Sequence, residues 1–161
     1  MYLVGMPGSG KSTVGRLLAE RLRMEFLDLD ARIERDAGRT IDAIYAEDGE
    51  ETFRDLEQAA LAEVVSTEGT VVSCGGGVVL RPANRERLKA SARVVWLDVP
   101  SDVLDARVRG ESRGRPIVTM TESLGPVAEQ RRPLYREAST MVVDADRAPS
   151  DVAADVARLL S

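Results

Sequence analysis

The chain has 161 residues, a formal net charge of −5, 43% hydrophobic and 30% charged residues. That suffices for one domain with a sizeable core, and the acidic balance argues against a general nucleic-acid binder, which needs a basic face. There is no histidine and only one cysteine, Cys74; histidine-based catalysis and an intramolecular disulfide are excluded, so carboxylates must carry any proton transfer.

Tyr2, Leu3 and Val4 read as a short buried strand, and from Lys11 onward Val14, Leu17, Leu18 and Leu22 recur at helical spacing. Between them lies G-x-x-x-x-G-K-S, Gly5 to Ser12. Glycines there let successive backbone N–H groups face one centre, and the helix N-terminus adds its positive dipole end. Lys11 can reach outer phosphates and the Ser12 hydroxyl can ligate magnesium, so the loop is expected to hold a nucleotide polyphosphate. Gly15 leaves room for the helix to lie close to a strand.

A second strand is expected near Phe26–Leu29, then short helical segments around Arg32–Ala37 and Thr40–Ala46 and a longer helix from about Glu50 to Val65. "TVVSCGGG" reads as a third strand entering a glycine loop, "PANRERLKA" as a polar helix and "ARVVWLDV" as a fourth strand. "SDVLDARV" should be a helix capped by Ser101, followed by an aperiodic loop around Arg109–Thr119. A helix from about Pro126, a fifth strand "TMVVDA" and a closing helix capped by Ser150 complete the chain. Such alternation predicts a parallel sheet covered on both faces, with ligands at the carboxyl ends of its strands. The apolar runs are too short to span a bilayer and no basic-then-apolar leader precedes the first strand, so a cytoplasmic protein without a membrane partner is expected.

Asp28 and Asp30 stand at i and i+2, which on a strand would aim both carboxylates at the crevice beside the phosphate loop. Asp30 could equally cap the next helix. Magnesium needs oxygen ligands and an acceptor hydroxyl needs a base, and Ser73 and Cys74 occupy the strand-three end where many nucleotide-binding folds place a metal-side aspartate. Gly75, Gly76 and Gly77 suit a substrate wall more than a simple turn. Arg54, with Glu57 at i+3 and Glu50 at i−4, also fits a surface helix laced with ion pairs. Arg131 and Arg132 fit either solvent or substrate, and Arg113 or Arg115 could serve as an arginine finger. Periodicity leaves these arginines open.

Taken in order, GxxxxGKS, D-x-D, "FRDLE", "GGG", "GRP" and "RRPLY" resemble the shikimate kinase family, over essentially Tyr2 to Leu160. The resemblance implies an α/β P-loop fold like that of nucleoside-monophosphate kinases, with five parallel strands in the order 2-3-1-4-5. It implies one domain over 1–161, with a phosphate loop at 5–13, a substrate-binding helical region at about 31–61 and a lid at about 109–121. The implied reaction is transfer of the γ-phosphate of ATP to the 3-hydroxyl of shikimate, with Mg2+, by an enzyme expected to be a monomer. Gly8, Ser9, Gly10, Lys11, Ser12 and Thr13 would bind the ATP phosphates, with Ser12 and Asp28 on the metal side. Asp30 would grip shikimate hydroxyls and act as base. Arg54 and Arg131 would clamp the carboxylate, Gly75–Gly77 would line the ring, and Arg115 would cross from the lid to the phosphates. Arg147 lies in the segment that lines adenine. Arg132 occupies a position the pattern leaves free and is expected to face solvent, and Cys74 has no assigned role. A gluconate kinase would fit "GGG" and "RRPLY" poorly, and a regulatory GTPase would need an N/T-K-x-D motif that the chain lacks.

Overall fold

A computed structural model describes residues 1–65, 67–91, 93–110 and 123–160. The strands are β1 (Tyr2–Val4), β2 (Glu25–Asp28), β3 (Thr70–Ser73), β4 (Val94–Asp98) and β5 (Met141–Asp144). The helices are α1 (Lys11–Leu22), α2 (Leu29–Ala37), α3 (Ile41–Val64), α4 (Pro82–Ala90), α5 (Ser101–Gly110), α6 (Gly125–Ala138) and α7 (Pro149–Leu159). All five strands are parallel, in the order β2-β3-β1-β4-β5, as the resemblance implied.

The central strands are runs of Val and Leu buried on both faces, as helix-covered parallel strands require. At the edge, β5 exposes Val142. Gly15 brings α1 against the sheet: a Cβ there would fall 2.6 Å from Phe26 Cε2 and 3.2 Å from Leu3 Cδ1. The Tyr2 hydroxyl donates to Val64 O at 3.0 Å and ties the end of α3 to β1.

The long helix α3 breaks at Gly49, where φ is 85° and ψ 171°, so the expected separation of two helical segments survives as a kink. Two expected caps are corrected. Helix α7 has Pro149 at its first position and Ala148 as cap, which places Ser150 inside the first turn; proline's fixed φ suits that entry. Ser101 is likewise the first residue of α5, with Pro100 O accepting from Leu104 N at 3.0 Å.

Candidate active site

The loop from Gly5 to Ser12 joins β1 to α1 at the carboxyl edge of the sheet. Gly8 (φ 83°) and Gly10 (φ 85°) lie in the left-handed region, which a side chain would strain. Gly10 is also the cap of α1 and supplies no side chain to it, so the first N–H groups of the helix are left for an anion. The Lys11 ammonium is tucked into the loop, donating to Gly5 O at 2.9 Å, Met6 O at 2.8 Å and Ser9 Oγ at 3.4 Å. Ser9 is buried, and Thr13 on the first turn of α1 is exposed.

Ser12 Oγ donates to Asp28 Oδ2 at 2.7 Å and lies 3.2 Å from Ser73 Oγ. The parallel register explains the third member, because Asp28 and Ser73 are direct partners across β2 and β3. Three hard oxygen groups beside a phosphate loop suit magnesium, which keeps several waters and takes phosphate oxygens for the rest. Among the described residues no group of three or more His, Cys, Asp or Glu side chains could cage a metal by itself, so the donor set fits a nucleotide-bound ion.

Asp28 and Asp30 do not share a strand face. β2 ends at Asp28, whose Oδ1 accepts from Ala31 N at 3.3 Å and caps α2, so the capping aspartate is Asp28 and Asp30 sits on the first turn of the helix. The helical turn nevertheless carries Asp30 to the glycine loop: a Cβ on Gly75 would lie 2.7 Å from Asp30 Oδ1. Asp28 thus lies against Ser12 of the phosphate loop, and Asp30 against Gly75.

Gly75, Gly76 and Gly77 are glycines for want of space, since none has a positive φ. A Cβ on Gly75 would also meet Glu57 Oε1 at 2.7 Å, one on Gly76 would meet Pro7 Cδ at 2.7 Å, and one on Gly77 would meet Arg54 Cζ at 2.5 Å. Arg54 is not a surface residue. It is 4% exposed and pairs with Glu57 at 2.7 Å, itself 1% exposed, and with the more exposed Glu50 at 3.1 Å. Burial pushes the Glu57 carboxyl up, opposed by the Arg54 guanidinium and then by Arg131. From the opposite side α6 brings Arg131, 7% exposed, whose Nη1 donates to Gly76 O at 3.2 Å. Two buried guanidinium groups therefore reach the same three-residue loop from α3 and α6.

Arg147 turns toward α7, with Nη1 2.8 Å from Asp155 Oδ2, and also donates to Asp144 O. Among the described residues, Arg107 of α5 reaches the phosphate loop, its Nη1 lying 3.4 Å from both Gly8 O and Ala145 O; no local spacing in the sequence singled it out. Arg132 is not simply solvent-facing. It pairs with Asp98 at 3.0 Å and Glu129 at 3.4 Å and lies over the Trp96 ring. Cys74 is buried, and burial holds its thiol well above the usual range, which disfavours the thiolate. Arg113, Arg115 and most of the expected lid lie outside the described residues.

A phosphate loop after β1, an oxygen cluster suited to a metal-bound nucleotide and a cluster of acids and arginines around the neighbouring glycine loop define a small-molecule phosphotransferase with the nucleoside-monophosphate-kinase-like fold. A family model described as shikimate kinase matches residues 7–161. The chain belongs to the shikimate kinase family and is an enzyme of ATP-dependent phosphoryl transfer. The shikimate kinase of Symbiobacterium thermophilum is 42% identical over 161 residues, covering 97% of this chain and 92% of that one. That of Synechococcus sp. strain CC9605 is 45% identical, covering 99% and 81%. The structure of shikimate kinase from Acinetobacter baumannii in complex with shikimate matches with a TM-score of 0.91 at 37% identity, over 99% of this chain and 90% of that one. A gluconokinase from Sinorhizobium meliloti is more distant, with a TM-score of 0.59 at 26% identity, covering 98% of this chain and 91% of that one. No helix among the described residues is long and apolar enough to cross a membrane.

Proposed function

We propose that the enzyme transfers the γ-phosphate of ATP to the 3-hydroxyl of shikimate, giving shikimate 3-phosphate and ADP on the way to chorismate and the aromatic amino acids. The observation that carries this reading is the approach of buried Arg54 and Arg131 to the Gly75–Gly77 loop, which Pro7 of the phosphate loop touches from the other side. Arg54 already has Glu57 and Glu50 as partners and Arg131 donates to the Gly76 carbonyl; a small carboxylate at this loop would be a charged acceptor shared by the remaining N–H donors of both guanidinium groups.

In this reading Gly8 to Thr13 hold the ATP phosphates and Lys11 stabilises charge on the transferring group. Ser12 and Asp28, with Ser73 beside them, would hold a magnesium ion, which would supply positive charge against the phosphates. Asp30 orients the acceptor hydroxyl and takes its proton, while Arg54 and Arg131 hold the acceptor carboxylate against Gly75, Gly76 and Gly77. Arg115 reaches the phosphates from the 109–121 lid, and Arg147 remains the candidate on the adenine side. The helical region 31–61 is the acceptor-binding part of a single domain. The protein works as a cytoplasmic monomer on small molecules, with no nucleic-acid or membrane partner.

The test is a coupled assay with ATP and magnesium, offering shikimate, gluconate or water as acceptor. Shikimate should be turned over and the other two left nearly untouched; equal turnover of gluconate would overturn the acceptor assignment. A shikimate analogue with hydroxymethyl in place of the carboxylate should lose at least about tenfold in kcat/KM, because the charged acceptor that Arg54 and Arg131 would share is gone. Comparable kcat/KM for the two compounds would refute the clamp.

Gly77→Ala probes the same clamp without touching a charge. The added methyl must displace the Arg54 guanidinium, a movable group, so the fold should survive. KM for shikimate should rise at least about tenfold while KM for ATP stays within about twofold, since misplacing a binding group by an ångström has effects of that order. Equal changes in both constants would show that the glycine acts on the whole site and not on Arg54.

A further inference from the structure

The Gly76 carbonyl accepts two hydrogen bonds from one helix. Arg131 Nη1 donates to it at 3.2 Å, and the hydroxyl of Tyr135, one turn further along α6, donates at 2.5 Å. Tyr135 is completely buried, and its ring stacks on Trp96 with centroids 5.8 Å apart and planes 25° apart. The stack fixes the ring, so the hydroxyl is aimed at one place. Burial holds the Tyr135 phenol far above its usual range, which keeps the proton it donates. Gly76 itself is pinned on its other side by Pro7, so its peptide sits between the phosphate loop and the clamp helix.

We propose that Tyr135 is a positioning residue for acceptor binding: its hydroxyl keeps the Gly76 carbonyl paired when Arg131 leaves that carbonyl for the carboxylate of the acceptor. This rests on the reading of Arg131 as a carboxylate clamp. A carbonyl oxygen has two lone pairs, and one donor is enough to avoid the penalty of a buried orphan. With Tyr135 in place, Arg131 is a second donor and can be withdrawn at little cost. Without the hydroxyl, Arg131 is the remaining donor of this pair, and handing it to a substrate strips the carbonyl. The tyrosine thereby sets how readily Arg131 is released, and contributes to shikimate affinity without touching shikimate.

Tyr135→Phe removes one oxygen and keeps the ring on Trp96. KM for shikimate should rise about fivefold to tenfold, the effect expected of stranding one buried polar group. KM for ATP and kcat should both stay within about twofold. The same substitution on an Arg131→Ala background should leave KM for shikimate unchanged within about twofold, because no arginine then has to be released. A merely structural tyrosine predicts something else: a lowered melting temperature with both KM values and kcat moving together. The proposal is overturned by an unchanged shikimate KM in Tyr135→Phe. It is equally overturned by the same fold-change with and without Arg131, since the hydroxyl would then act independently of it. Failure of the clamp reading has its own signature, an Arg131→Ala single variant with wild-type shikimate KM.

Discussion

Lys11→Ala should lower kcat by about 10³-fold, at the upper end of what removing one preorganised electrostatic donor costs, in a protein that still folds. The structure gives the residue a double duty. Its ammonium is buried and donates to the Gly5 and Met6 carbonyls, so the charge is held inside the loop at the spot where phosphates are due. Alanine leaves both carbonyls without this donor and, in the proposed mechanism, removes a cation from the phosphate loop. Some loss of stability is therefore expected alongside the loss of rate, and single-turnover kinetics with a thermal melt separates the two. A variant that melts like the parent and turns over within tenfold of it would remove Lys11 from the chemistry.

The second large effect is expected at Asp30. Asp30→Asn keeps the shape and some hydrogen bonding but cannot accept a proton, and general-base removal is worth about 10²-fold or more in kcat. The geometry separates it from Asp28. Asp30 approaches Gly75 together with Glu57 on the acceptor side, whereas Asp28 holds the Ser12 hydroxyl on the phosphate side. Asp28→Asn should accordingly shift the magnesium concentration needed for half-maximal rate, and Asp30→Asn should lower kcat while leaving that concentration within about twofold. Matching magnesium profiles in the two variants would contradict this division.

The phosphate loop was legible because its chemistry is local: the glycines, lysine and serine act through positions fixed by a short turn. The interruption between the segment ending near Ala46 and the helix starting near Glu50 was legible too, although Gly49 as its site was not, and the strand order followed once the ordered motifs were seen to resemble a family. Other features depend on contacts that no spacing reveals. Ser73 enters the oxygen cluster through its register with Asp28, and Arg107 meets Gly8 across the fold. Arg54 looked like a surface residue because its ion pairs with Glu50 and Glu57 have ordinary exposed-helix spacing; the glycine loop packed over it is what buries it. The Asp28–Asp30 pair was misread through the position of a single boundary. Ending β2 one residue earlier turns a shared strand face into a helix cap followed by a first-turn carboxylate.

The packing around Gly75–Gly77 also bears on redesign of the enzyme. The three missing methyl groups leave slots filled by different machinery: Asp30 with Glu57 at the first, Pro7 at the second, Arg54 at the third. One engineered side chain would push on Asp30 and Glu57, the next on Pro7 of the phosphate loop, and the third on the Arg54 guanidinium. Libraries aimed at bulkier alcohols should therefore hold this tripeptide constant and diversify the pocket where side chains already project.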